Sequence, residues 1–206
     1  MSLGKIAMGR QPAFERNDVL DKASQVFLRN GFQRTTIKDI TNATGLQPGS
    51  IYSAFENKSG LYTEVIEHYT KRQLAILDAC DEQQGTSLDA LKTFFKMTSE
   101  SVAHRTPDAH CLLVYGAFEI PDDEKELRYY VQLKLQEIES RIYELLVKAQ
   151  ENDEIICDEN PIELARFLMT LLFGHRVLAK LHASPETIDN TIDRVFQYLE
   201  FSGKQQ

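Results

Sequence analysis

Cysteine is scarce in this 206-residue chain: Cys80, Cys111 and Cys157 lie far apart. The spacing holds no CxxC redox or zinc motif and no disulfide framework, and an odd count points to free thiols. The five histidines are scattered, without HExxH or a similar ligand pattern, so neither a metal nor a cofactor is expected. Long apolar runs are also missing; none approaches the roughly 18 residues that a membrane helix needs. No charged-then-apolar segment opens the chain, although Met8 offers an alternative start, so a cytoplasmic protein without a membrane partner is expected. There is no nucleophile–base signature and no phosphate loop, which argues against an enzyme.

What is present is an ordinary globular composition, 42% hydrophobic and 26% charged, at a length that can bury a real core. The formal charge of −8 argues at first against a nucleic-acid partner, but it is unevenly spread. Residues 1–60 carry eight Lys/Arg against five Asp/Glu, a balance of +3, and the remainder carries 15 against 26, or −11. A basic head on an acidic body fits phosphate binding by the head. Acidic surfaces also serve solubility alone.

Apolar residues recur with a period near 3.6 along nearly the whole chain, and sustained alternation is absent, so an all-α fold of nine helices is expected. Residues 1–13 read as an arm. The first helix runs from about Asn17 to Asn30, with Val19, Leu20, Ala23, Val26 and Phe27 on one face and Gly31 as its stop. Thr36 and Asp39 form a capping box for a short second helix that Gly45 ends. Pro48 suits the first position of a third, and Asn57 caps a long fourth. Asp81–Thr86 reads as a polar turn before a fifth helix from Ser87 to about His104. Pro107 opens a sixth helix through about Phe118, which Pro121–Asp123 breaks. The seventh ends near Glu151; Asn160–Pro161 and Ser184–Pro185 open the eighth and ninth.

Thr35–Lys58 reads TTIKDITNATGLQPGSIYSAFENK. Two short helices joined at Gly45 make a helix-turn-helix, whose second helix enters the major groove. That helix is built from small residues, Pro48, Gly49, Ser50, Ser53 and Ala54, which let the backbone approach DNA closely. Gln47 and Ser50 can bond base edges or phosphate, Tyr52 can reach a phosphate, and Thr36 and Lys58 sit at helix N-termini that favour anions. A generic helical hairpin with small residues for packing is the alternative.

The stretch from Asp18 to Tyr69 resembles the N-terminal domain of the TetR family. The residues that carry the resemblance are Ala23, Phe27, Gly31, Phe32, Thr35, Thr36, Ile40, Ala43, Gly45, Ser50, Tyr52, Phe55, Lys58 and Leu61. It implies a head over residues 14–60 and a ligand-binding and dimerisation body over 61–206. It also implies a homodimeric repressor on a pseudo-palindromic double-stranded DNA operator, released by a small-molecule effector. The candidate DNA contacts are Arg34, Thr35, Thr36, Gln47, Pro48, Gly49, Ser50, Tyr52, Ser53 and Lys58. Ser53 and Ala54 stand where many members carry larger or hydrogen-bonding side chains, which leaves base readout to few residues.

For the body, the resemblance implies a cavity among the fifth to eighth helices. The candidates are Phe94, Phe95, Met97, Thr98, Cys111, Val114, Tyr115, Phe118, Tyr130, Phe167 and Thr170, aromatics with a few hydroxyls that suit a lipophilic effector. The same residues also suit a plain core. Cys111, beside His110, lies in a stretch similar to the Cys-Leu-Leu-Val segment of a subgroup that includes electrophile-responsive repressors, where glycine usually precedes the cysteine. A thiol-reactive effector and a buried inert thiol are both open readings. The eighth and ninth helices are expected to pair across a dimer as a four-helix bundle through Leu168, Leu171, Leu172, His175, Leu178, Ile188, Ile192, Val195, Phe196 and Leu199. Alternatively these stripes seal only the monomer core. A helical interaction protein that has lost operator binding remains the functional alternative.

Overall fold

The computed structural model describes residues 13–83, 85–103, 111–155, 159–181 and 184–201. Among them the chain forms nine α-helices and no strand: α1 (Ala13–Asn30), α2 (Ile37–Thr44), α3 (Pro48–Phe55), α4 (Lys58–Gln83), α5 (Ser87–Ala103), α6 (Leu112–Glu119), α7 (Lys125–Glu151), α8 (Pro161–Lys180) and α9 (Pro185–Phe201). The all-α expectation holds.

The short helices are set by their ends. Thr36 caps α2 reciprocally: its hydroxyl oxygen accepts from Asp39 N at 3.2 Å, and Thr36 N donates to the Asp39 carboxylate at 2.9 Å. Gly45, at φ 78°, closes the same helix in the left-handed region. Asn57 takes Gly60 N at 2.8 Å in the first turn of α4, Asn160 takes Ile162 N at 3.1 Å before α8, and Ser184 takes Thr187 N at 3.2 Å before α9.

Three boundaries differ from the sequence reading, one of them the end of α4, which runs on to Gln83 so that Asp81–Gln83 belong to the helix instead of the expected turn. α1 begins at Ala13, a turn before Asn17. Its first turn is held from outside: Arg16 forks onto Glu64 of α4, with Nε at 3.0 Å from Oε2, and its guanidinium lies 4.8 Å from the Phe55 ring centre. Pro107 falls outside the described residues. Where the sixth helix is described it starts only at Leu112, because Cys111 is extended (φ −83°, ψ 109°) and serves as the N-cap. Cys111 therefore precedes α6 rather than lying within it.

The long α4 joins the two halves. Its N-terminal part packs on α1 and α3, and α5 and α7 pack on the helix as well; α5 also lies on α9, and α7 on α8. Leu61, Tyr62, Val65 and Ile66 are wholly buried on it. Polar staples fix α4 against α7. Glu67 accepts from Tyr130 at 2.5 Å and pairs with Lys134 at 2.6 Å, while Arg141 bridges Asp78 and Asp81 at 2.7 and 3.1 Å. The hydrogen bonds from Lys134 and Tyr130 hold the Glu67 carboxyl at about 2, against an ordinary 4.5.

That depression has a sign. Between pH 4.5 and 2 the unfolded chain binds a proton at Glu67 that the folded chain refuses, so the cluster's stability is present above 4.5 and lost as pH falls toward 2. Glu67→Gln should lower neutral-pH stability by about 1 kcal/mol, a few degrees in Tm. It should also flatten the acid limb of a thermal-unfolding series; an unchanged acid limb contradicts the assignment.

Candidate nucleic-acid interface

α3 is divided along its length. Ile51 and Phe55 are buried, on a helix that packs on α2 and α4, whereas Gln47, Pro48, Gly49, Ser50, Tyr52, Ser53 and Ala54 are all exposed. The buried pair lies four residues apart, one helical turn, so the remaining residues face outward together. Gln47 is the N-cap but makes no side-chain cap bond, and Pro48 has no N–H to offer, so no side chain covers this end of the helix. Tyr52 is half exposed. Arg34 and Thr36 are exposed beside the start of α2; Arg34 Nε donates to Asn30 O at 3.1 Å, which orients its guanidinium at the end of α1.

Two expected contacts lie elsewhere. Thr35 is 1% exposed and its hydroxyl donates to Gly31 O at 2.6 Å, so it closes the α1–α2 turn from within. Lys58 also points inward: Nζ donates to Phe32 O at 2.9 Å and Gln33 O at 3.2 Å, and sits 4.6 Å from the Phe32 ring centre. Burial lowers its pKa from the usual 10.5. Lys58 is partly buried, with two carbonyls and an aromatic face around its ammonium.

The same turn is gripped from the other side. Phe32 N donates to Glu119 Oε2 at 3.2 Å, across 87 residues of sequence. Glu119 closes α6, and a Cβ added at Gly31 would stand 2.2 Å from the same oxygen. Gly31 is itself at φ 80°, where only glycine is at ease. A second tie runs from Ser59 Oγ to Glu124 Oε1 at 3.0 Å. Sequence reasoning missed Glu119, since no local pattern marks a partner so far away.

The body residues separate as clearly. Phe94, Phe95, Thr98, Cys111 and Val114 are buried, and Tyr115 and Tyr130 are half-buried. Tyr130 is committed to Glu67, which helps hold its phenol up at about 12, together with burial as the larger cause. Phe118 is 81% exposed, and Met97, Phe167 and Thr170 are exposed too, so these four leave the interior set. Phe167 and Thr170 lie on the outer side of α8, whose inward face Leu164, Leu168 and Leu172 fill at helical spacing, while Met97 keeps its sulfur 3.8 Å from the Cys80 thiol.

Of the residues expected to meet a second copy, Leu168, Leu172, His175, Ile188, Ile192, Phe196 and Leu199 are buried by the chain's own helices. A side chain with no exposed area has none to lose on association, so these seal the monomer core. Leu171 and Val195 are half-buried, and Leu178 is exposed. Leu178 belongs to an outward stripe on α8 with Phe167, Leu171, Gly174 and Val177, which Leu181 continues just past the helix end. Open space lies over Gly174. Among the described residues no cluster of three or more His, Cys, Asp or Glu gathers for a metal, and no helix is long and apolar enough to cross a membrane.

Residues 19–65 match the family model for bacterial regulatory proteins of the tetR family, and residues 87–195 match the tetracyclin repressor-like C-terminal domain. The chain belongs to the TetR family of bacterial transcriptional regulators, and its N-terminal domain is the DNA-binding one. It is similar to the transcriptional repressor ComR of Escherichia coli strain K12, with 27% identity over 187 residues, 89% of this chain and 88% of the relative. A solved structure of a cysteine mutant of the TetR-family regulator CifR, in complex with 26-base-pair operator DNA, is similar with a TM-score of 0.75 and 26% identity over 93% of this chain and 100% of that one. The reduced form of E. coli NemR shares the fold, with a TM-score of 0.79 and 20% identity over 88% of this chain and 95% of that one.

The Gly31–Glu119 contact separates two glycines that share a backbone conformation. Gly31→Ala and Gly45→Ala each add left-handed strain of about 1 kcal/mol. Only Gly31→Ala also displaces a carboxylate from a backbone N–H, a further loss of about 1.5–3 kcal/mol. Denaturant titration should show the larger loss for Gly31→Ala, with the excess vanishing in a Glu119→Ala background. Equal losses for the two glycines contradict the contact.

Proposed function

We propose that this chain represses transcription by binding a pseudo-palindromic operator as a homodimer and is released by a small effector that occupies or modifies its body. The observation that carries the reading is the division of α3: Ile51 and Phe55 inside, a continuous exposed face of small and hydrogen-bonding residues outside. In this reading the head is residues 14–60, preceded by an arm over 1–13, and the body is 61–206. Gln47, Pro48, Gly49, Ser50, Tyr52 and Ser53 meet the major groove and its flanking phosphates, with Arg34 and Thr36 on the backbone. Thr35 and Lys58 shape the head instead of touching DNA. The +3 balance of residues 1–60 supplies the phosphate attraction. The protein acts in the cytoplasm, where its operator is.

The outward apolar stripe on α8 supports the homodimer. Leu181 is 71% exposed and Phe167 and Val177 are each 46% exposed, a continuous apolar face that one chain leaves uncovered. Gly174, with open space above it, lets a partner helix come close. For the release step, α6 links the body to the head: Cys111 caps one end and Glu119 at the other end holds Phe32 N. An eight-residue helix spans about 12 Å, so a change at Cys111 or against α6 reaches the head through one rigid element. A lipophilic effector displacing the helix and an electrophile modifying the Cys111 thiol both act on that element; that the similar CifR was solved as a cysteine mutant and the similar NemR in a reduced form supports the thiol route.

The test is selection of bound genomic fragments, followed by binding assays across salt concentrations. Ser50→Ala with Tyr52→Ala should weaken operator binding by at least about tenfold, the worth of roughly 1.4 kcal/mol, with an unchanged Tm. Leu178→Arg should leave a folded monomer in sedimentation that no longer holds the operator. Unaltered operator affinity in the α3 double variant, or no preference among genomic fragments, would revive the reading of a helical interaction protein without DNA recognition.

A further inference from the structure

His175 lies where α8 faces α5 and is 2% exposed. Its Nε2 is 3.3 Å from the hydroxyl of Thr98, which is itself 5% exposed. That hydroxyl has one proton, and it sits only 2.7 Å from Phe95 O. The shorter contact takes the proton, so Thr98 is the acceptor toward the ring and Nε2 carries the hydrogen. Burial, reinforced by the neighbouring positive charge of Arg176, pushes the imidazole down to about 3, so the ring is neutral. A neutral ring with its hydrogen on Nε2 has a bare lone pair on Nδ1. Nδ1 is buried and has no hydrogen-bond partner.

A buried acceptor left empty costs about 1–3 kcal/mol, and here the surroundings offer no relief. The Phe95 ring meets the imidazole edge-on at 6.1 Å between centres, and Phe196 meets Phe95 at 5.7 Å. The imidazole ring thus stands against an aromatic pair, with its tautomer fixed from one side by Thr98. An apolar enclosure with one fixed polar group is how small-molecule sites orient their ligands.

We propose that the Thr98–His175 pair is the polar anchor of the effector site, and that the effector is a neutral molecule with a flat apolar body that donates one hydrogen bond, from a hydroxyl or N–H, to His175 Nδ1. The proposal rests on the effector-release reading above and names the chemistry of its lipophilic ligand. A cationic ligand is disfavoured by Arg176. A ligand with acceptors only meets a lone pair with a lone pair. The seam is closed in this structure, so the ligand enters by parting α8 from α5. α8 carries the outward stripe with Leu178, so that movement alters how two copies meet and hence the spacing of their heads.

The test uses the full-length protein with its histidines labelled with nitrogen-15, and two matched probe pairs: phenol against anisole, and indole against 1-methylindole. Without probe, the His175 resonances should report hydrogen on Nε2 and none on Nδ1. Phenol and indole should shift the Nδ1 resonance saturably and bind at least about tenfold more tightly than their methylated partners, a difference of about 1.4 kcal/mol. His175→Phe should reduce that preference below about twofold. Thr98→Val, which frees the tautomer while keeping the shape, should also weaken it, and it preserves the test where His175→Phe perturbs folding. An Nδ1 resonance that no probe moves, or methylated and unmethylated probes that bind alike, overturns the anchor. Operator binding is measured separately without probe, so loss of the anchor and loss of the repressor reading give different results.

Discussion

The geometry of the head depends on one three-residue turn, Gly31–Phe32–Gln33, and on the two side chains that clamp it. Glu119 accepts the Phe32 N–H from the body side, and Lys58 donates to the Phe32 and Gln33 carbonyls from the foot of α4. An acceptor and a cation thus satisfy polar groups of three successive peptide units along the turn. Beneath them the Phe32 and Phe27 rings pack on Tyr62 at 4.9 and 4.7 Å, which fixes the turn to α4. The tilt of α2, and through it the seat of α3, follows from this turn. The clamp ties the head to α6, the element through which the proposed release acts.

α8 shows a comparable economy in the body. Its inward face, Leu164, Leu168, Leu172 and His175, is spent on the monomer core, and its outward face, Phe167, Leu171, Val177 and Leu178, continued by Leu181, is left apolar without a cover. A helix that is apolar nearly all round is either wholly buried or shared between two cores. The outward stripe favours the second arrangement, the homodimer proposed above, and the buried polar seam at Thr98 and His175 lies on the opposite face of the same helix.

Most helix ends were legible in the sequence because the chemistry that sets them is local. The Thr36–Asp39 box, Gly45, Pro48, Asn57, Asn160 and Ser184 all mark helix ends through partners two to four residues away. The split of α3 into Ile51 and Phe55 against the rest also follows from spacing. The start of α6 was misplaced because Pro107 is a permissible opening, and nothing in the sequence requires that Cys111 be extended. Lys58 and Thr35 were read as DNA contacts because the chain does not say that carbonyls of residues 31–33 would claim both. The stripe at Ile188, Ile192 and Leu199 has the same period whether its partner helix is α5 of the same chain or a helix of another copy, so periodicity alone could not assign it. Glu119 and the empty lone pair of His175 depend on contacts 87 and 77 residues away and had no local signal.

The central claim is that the Glu119 carboxylate, by holding Phe32 N, sets the head in its DNA-binding geometry. Operator affinity of Glu119→Ala and Glu119→Gln, compared with the unmodified protein at one salt concentration, tests it most directly. The amide oxygen of Gln still accepts the N–H, so Glu119→Gln should bind the operator within about threefold of the parent. Glu119→Ala should lose about tenfold or more, in keeping with a bond of about 1.5–3 kcal/mol. Equal operator affinity for the parent and Glu119→Ala, with both folded, would contradict the account.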